Sequence, residues 1–366
     1  MKQAYDFLIC LVSLMLGILL EYTHPLGLAI NGYISIAACC LTAACFTQVS
    51  QKIRVAAGMF LCFIVGSFTF AIHTQQLKQA QISLAGRYQY LVGIVTDVQL
   101  LHHPLYQEHL TIALEGGKLA KFFGGQRLNS QVSIYSKAHT TAVIGDKILL
   151  KSVSIKPPIK NMTENDLSLA KAGSSATVFL ASRYQCKILE RGADGIRATL
   201  WRLRQTIYNS VIRHLSAQTA AYTGLLFFGN KQHDTTTDLQ NIFARWGLSH
   251  YLARSGLHIV LLVAMWFALL RFIPINIRFK TLIFSAFVLL YALCSWESTS
   301  FLRALFVFLF TQSGLWLGRE TKTLHLLTIV CMGMILYNPF LIFYLDFQLT
   351  FGLTFGLLTF SKHLMA

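Results

Sequence analysis

Long apolar runs occupy both ends of the chain, and shorter alternating runs lie between them. The N-terminal runs cover about 6–20, 26–47 and 55–72, and the C-terminal ones about 247–270, 281–296, 300–317, 324–345 and 347–360. A helix needs ~20 predominantly apolar residues to cross a bilayer, so these runs predict eight crossings, with the first one short or tilted. Between them, residues 90–100 (YLVGIVTDVQL), 109–115 (HLTIALE), 131–138 (QVSIYSKA) and 147–155 (KILLKSVSI) alternate apolar and polar positions. Gly116-Gly117, Gly124-Gly125 and Gly145-Asp146 punctuate them. Strands at this spacing predict a small sandwich or barrel, an OB-like barrel being one form. Leu200, Leu203, Ile207, Val211 and Leu215 then recur at three- and four-residue steps beside Arg197, Arg202, Arg204 and Arg213. That pattern predicts a basic amphipathic helix at a membrane interface. A further apolar patch at 220–229 is too short to span. The expected fold is a polytopic α-helical membrane protein with an inserted small extracytoplasmic β-rich (OB-like) domain. Its expected segments are 1–73 (N-terminal transmembrane helices), 74–190 (the β-rich domain), 191–246 (amphipathic interfacial helices) and 247–366 (transmembrane helices).

Composition supports a membrane protein. Hydrophobic residues make up 54% and charged residues 13% of the 366, with mean hydropathy +0.53, whereas a soluble domain carries about 25% charged residues. The formal net charge is +16. Part of it follows from the tendency of cytoplasmic loops to carry Lys and Arg. Alternate crossings place Lys2, Lys52 and Arg54, then Arg271, Arg278 and Lys280, then Arg319 and Lys322, and Lys362, on one side. Residues 74–204 fall on the other, yet hold about twice as many Lys and Arg as Asp and Glu. That excess points to an anionic ligand such as nucleic acid, with a solvated basic surface as the plainer alternative. Seven of the eight cysteines lie in apolar runs and Cys186 alone in the polar middle, without any Cys-x-x-Cys spacing. No structural zinc site or disulfide framework is expected. The first run lacks a small-residue cleavage site and is expected to be a retained helix.

Chemistry concentrates at 249–262 (SHYLARSGLHIVLL). His250, Arg254 and His258 recur every four residues beside Ser255, and Gly256 is a possible break in that helix. Ionisable residues inside a membrane face a bundle interior or a water-filled path, so the run suggests transport. The competing reading is that both histidines hydrogen-bond to nearby backbone and fix helix packing. Arg303, with Thr299 and Ser300 on its side of a helix, fits either a phosphate contact or an internal salt bridge to Glu297 or Asp346. Tyr88, Tyr90, Tyr106, Phe122, Phe123 and Tyr135 would stack bases if exposed and form core if not. No phosphate-binding Gly-x-x-x-x-Gly-Lys-Ser/Thr loop occurs, and His102, His103 and His109 lack the spacing of a binuclear metal centre. No catalytic residue, metal or cofactor is expected, and the chain is not read as an enzyme.

Four stretches carry a family resemblance: 224–231 (GLLFFGNK), 247–258 (GLSHYLARSGLH), 298–304 (STSFLRA) with Gly318-Arg319, and Asn338-Pro339 with 346–351 (DFQLTF). In order and spacing they resemble the competence region of the ComEC family, the DNA-uptake channel proteins of the bacterial inner membrane. Arg254, Asp346 and Asn230-Lys231 depart from the family's usual residues. The resemblance implies that 247–366 is part of a competence-type channel, and that single-stranded DNA passes inward after meeting the outer domain. His250, Arg254, Ser255, Gly256, His258 and Arg303 would line the path, and Gly229, Pro339, Asp346 and Gln348 would form a structural motif. Implied partners are single-stranded DNA, the lipid bilayer, a separate ATP-driven DNA translocase and a DNA receptor. A homo-oligomer or a separately encoded C-terminal part is a further implied partner. The implied location is the bacterial inner membrane, multi-pass, with 74–190 extracytoplasmic. Family members usually continue into a metallo-β-lactamase-like domain, whereas this chain stops at Ala366. The alternative expectation is therefore a truncated or split, transport-inactive member acting as a membrane structural or assembly protein. Passage of another polyanion is a third reading.

Overall fold

Alternation becomes a sheet because one side of each strand carries apolar residues that have a common core to fill. The computed structural model describes residues 2–23, 51–100, 106, 108–114, 131–137, 140–155, 164–182, 185–192, 196–228, 245–246, 264–265, 268, 272, 276–294, 298–319 and 321–364. Two compact units emerge: Met1–Gln76, Ile259–Ala286 and Thr299–Ala366 form one, and Leu77–His258 with Phe287–Ser298 form the other.

The second unit holds the sheet. Its strands are β1 (Gly86–Leu100), β2 (Glu108–Leu114), β3 (Gln131–Ser136), β4 (Lys147–Ile155), β5 (Ala176–Leu180) and β6 (Cys186–Glu190), in the order β5-β3-β2-β1-β4-β6. All ladders are antiparallel except β3–β5. A parallel pair needs a crossover, which here includes β4 and helix α3 (Glu164–Lys171). The long β1 pairs with β4 through its first half and with β2 through its second. Both ladders meet at Gly93, where a Cβ would lie 2.8 Å from the Ala113 carbonyl oxygen. Only a residue without a side chain permits that approach. Leu110, Ile112, Val132, Ile134, Ile148, Leu150 and Val178 form the centre of the core, joined by Leu84 and partly by Trp201. Buried Asp146 accepts from the Val143 and Gly192 amides at 2.9 Å each, tying the turn before β4 to the chain after β6.

Leu84 ends helix α2 (Gln51–Leu84), which runs past the apolar stretch expected to stop at 72. Gln, Lys, Ala and Leu sustain it, and Leu77, Gln81 and Leu84, on one stripe, are buried. The amphipathic pattern forms α4 (Ile196–Ile212). After α5 (Ala217–Thr223) the chain makes a π-helical turn over Gly224–Phe228. Tyr291, on α6 (Ile277–Cys294), donates to the Phe227 carbonyl at 2.6 Å.

Helices dominate the first unit: α1 (Lys2–Thr23), α7 (Thr299–Trp316), α8 (Thr323–Tyr337) and α9 (Leu345–Leu364). The α8 helix packs on α1, α7 and α9, burying Leu326, Leu327, Val330, Cys331 and Ile335. Tyr22 and Phe70 meet Phe343 of the short 3-10 turn Pro339–Phe343, and Phe340 of that turn also touches Phe70.

These elements correct the expected fold class. Among the described residues one helical stretch, Ala56–Leu84, is long and apolar enough to cross a membrane. The apolar stretches Leu8–Thr23, Phe279–Leu293, Thr323–Tyr337 and Leu345–Phe360 are shorter. Among the described residues the polytopic, eight-crossing class therefore gives way to a helical unit and a β-rich unit with one candidate span, while the expected crossing at 26–47 and residues 247–263 of another lie outside the described residues. Burial against neighbouring helices requires the same apolar density as burial in lipid, and α8 is filled with such contacts. The run at 324–345 is also cut at Asn338, because proline cannot continue the helical hydrogen-bonding and restricts the residue before it. The expected OB-like barrel is likewise corrected to an open, six-stranded half-barrel, since β5 and β6 end its ladder order.

Candidate nucleic-acid interface

Arg303 lies on α7 between the buried side chains of Phe301 and Leu305 and is itself half-buried. Its Nη1 donates to the Thr350 carbonyl and to the Thr354 hydroxyl of α9. The Thr354 hydroxyl in turn donates to the Thr350 carbonyl at 2.7 Å. One turn earlier on both helices, Thr299 donates to Asp346 Oδ2 at 2.8 Å. The two pairings share a chain separation of 47 residues, so α7 and α9 run parallel along a polar seam. Asp346 lies in the first turn of α9, where a carboxylate is favoured by the helix dipole. Among the described residues no carboxylate accepts from Arg303. The expected pair with Asp346 does not form, and Glu297 lies outside the described residues. Among the described residues the guanidinium's Nε and Nη2 show no acceptor, and such a pair of donors matches two oxygens of a carboxylate or phosphate.

The other motif positions build a turn. Asn338 Oδ1 accepts from the Phe340 amide at 3.1 Å, Pro339 begins the 3-10 turn and is buried, and Gln348 Nε2 donates to the Ile342 carbonyl at 2.8 Å. Pro339 and Gln348 thus hold the link from α8 to α9 that sets the position of Thr350 and Thr354. His250, Arg254, Ser255, Gly256, His258 and Gly229 lie outside the described residues.

On the sheet, the aromatic residues separate into several groups. Tyr90 is exposed, while Phe122, Phe123 and the side chain of Tyr88 lie outside the described residues. Tyr135 joins His109 (centroids 4.7 Å apart), Phe179 (5.6 Å, stacked) and Tyr106 (5.9 Å). Tyr106 also touches Phe179 at 5.4 Å. Cross-strand register aligns His109 with Tyr135 and Tyr135 with Phe179. Desolvation lowers the His109 pKa below 6.5, against an opposing influence from Asp97. The alternating run 109–115 placed His109 on a strand, but nothing in the sequence pattern singled out Phe179. The available signal was the Thr177–Phe179 alternation, which is too short to stand out. Among the described residues no group of three or more His, Cys, Asp or Glu side chains is arranged to hold a metal ion.

Comparison with known proteins links the α7–α9 seam to a family. Residues 226–366 match the family model described as "Competence protein". No curated protein and no solved structure matches the chain. The matched segment contains the SHYLARSGLH, STSFLRA and DFQLTF stretches, so residues 226–366 are similar to competence proteins, in keeping with the resemblance to the ComEC family.

Proposed function

We propose that the chain is a component of the inner-membrane path for single-stranded DNA uptake during natural transformation. The observation that supports this reading is the competence-family match over the segment containing Arg303. A half-buried guanidinium satisfied by a carbonyl and a hydroxyl retains its positive charge and open fork donors. It is suited to hold a passing phosphate oxygen and release it, whereas a carboxylate partner would compete. His250, Arg254, Ser255, Gly256 and His258 contribute to the same path. The β-rich unit lies outside the membrane and receives the strand through charge that is sequence-independent and salt-sensitive. The energy for transport comes from a separate ATP-driven translocase, and this chain does no catalysis of its own.

The test compares Arg303→Gln, Arg303→Lys and Thr354→Val for uptake of labelled DNA and for membrane abundance in the same cells. Phosphate contact predicts that Arg303→Gln loses about tenfold or more of uptake at near-normal abundance. Arg303→Lys should lose less, and Thr354→Val should transport nearly normally. A parallel fall of uptake and abundance in Arg303→Gln and Thr354→Val assigns the seam to helix packing and removes Arg303 from the path.

A further inference from the structure

We infer that the outer face of β2, β3 and β5 carries a stacking site for the bases of a single nucleic-acid strand, built on His109, Tyr135 and Phe179. The inference rests on the receiving role proposed for this unit and supplies its contact residues. The strand neighbours Leu110, Ile134 and Val178 are buried in the core, so strand alternation sends His109, Tyr135 and Phe179 to the opposite face. Register places these three side by side on adjacent strands. Their rings form one continuous group, with centroids 4.7 Å apart for His109–Tyr135 and 5.6 Å for Tyr135–Phe179. The group ends on the terminal strand of the ladder order at Phe179, which is 61% exposed. A base can add to that open end and extend the ring stack. The next row on this face is Thr111, Ser133 and Thr177; Thr111 and Ser133 are buried, with Ser133 donating to the Ser174 hydroxyl at 2.8 Å, so the accessible part of the face is the Phe179 end.

Charge selects the ligand. Lys137 follows Tyr135 by two residues and is exposed, so a cation sits beside the rings on the open side. Asp97 acts on His109 from the other end of the row and disfavours phosphate there. A strand lying on this face therefore places its phosphates toward Lys137 and its bases on the aromatic residues. Stacking tolerates any sequence because every base presents a π-face, and paired bases inside a duplex cannot reach it. A planar-ring site with a cation on one flank fits a single strand better than a neutral oligosaccharide, which has no charge for Lys137 to meet.

The test uses the purified full chain in lipid nanodiscs and two labelled probes, an oligothymidylate of about ten nucleotides and an abasic oligomer of equal length. Both carry the same phosphates, and one lacks bases. Wild type should bind the oligothymidylate about tenfold more tightly or better, the low end of one to two stacked bases. Phe179→Ala and Tyr135→Leu should bring that ratio close to one with abasic affinity unchanged, whereas Phe179→Tyr preserves it. Phe179 is exposed, so its truncation leaves the core intact and keeps the comparison valid if Tyr135→Leu misfolds. Lys137→Gln should weaken both probes alike. A ratio that survives in Phe179→Ala, or a wild-type ratio of one with clear binding of both probes, overturns the stacking site alone. Failure of wild type to bind either probe at low salt overturns the receiving role itself. Displacement of the oligothymidylate by a neutral oligosaccharide reassigns the face to carbohydrate.

Discussion

Replacing Asp146 should loosen the β-rich unit through two identifiable hydrogen bonds. Its buried carboxylate accepts from the amides of Val143 and Gly192, both at 2.9 Å. In Asp146→Ala both amides lose their acceptor in a partly buried setting. An unsatisfied buried donor costs about 1–3 kcal/mol, and partial access of water puts the pair at about 2–4 kcal/mol. Asp146→Asn keeps one side-chain oxygen and turns an NH2 group toward the second amide, so it should lose about half as much. Hydrogen exchange of the β4 amides measures the effect directly, because β4 holds both β1 and β6. With each 1.4 kcal/mol equal to a factor of ten, Asp146→Ala should speed exchange about 30-fold to nearly a thousandfold. An acceleration under about threefold in Asp146→Ala, or equal effects of Ala and Asn, would refute the two-bond account.

Three other outcomes are expected. Gly66 faces the Leu14 carbonyl and Gly17 the Phe63 carbonyl, with Ser67 donating to the Gly17 carbonyl at 2.9 Å; Gly66→Leu should separate α1 from α2, lower the folded yield and abolish oxidative cross-linking of the neighbouring Cys10 and Cys62. Retained cross-linking would show that the close approach is dispensable. Burial, then the nearby Glu108 charge, pushes the Cys186 thiol up to about 11, so alkylation in the folded chain should remain slow at about pH 8 and accelerate only at strongly alkaline pH; rapid modification at about pH 8 contradicts it. Burial also lowers the His109 pKa below 6.5, so below that value the unfolded chain binds more protons than the folded one and stability falls as pH falls; denaturation at about pH 8 and pH 5 should show a larger acid loss for wild type than for His109→Phe, and equal losses would remove His109 as the cause.

Local pattern sufficed where the deciding partners are neighbours along the chain. The runs at 90–100, 109–115, 131–138 and 147–155 coincide with β1 to β4, because period-2 alternation is the direct imprint of a sheet with one buried face. The steps from Leu200 to Leu215 likewise marked α4. Competence motifs in the second half were legible for a different reason: residue order and spacing are properties of the chain itself. Tertiary structure decided the rest. β5 and β6 have five residues each, too few for a periodic signal, and β5 finds β3 in parallel only after β4 and α3 have intervened. That pairing brings Phe179 to Tyr135 and makes three scattered rings one surface. Arg303 was visible as a cation in an apolar run, but its choice of Thr350 and Thr354 over Asp346 depends on the parallel register of α7 and α9. Apolar density likewise failed to count membrane crossings, since lipid and packed helices exert the same demand for it. Periodicity and hydropathy record what a segment must hide, whereas register and packing determine what hides it.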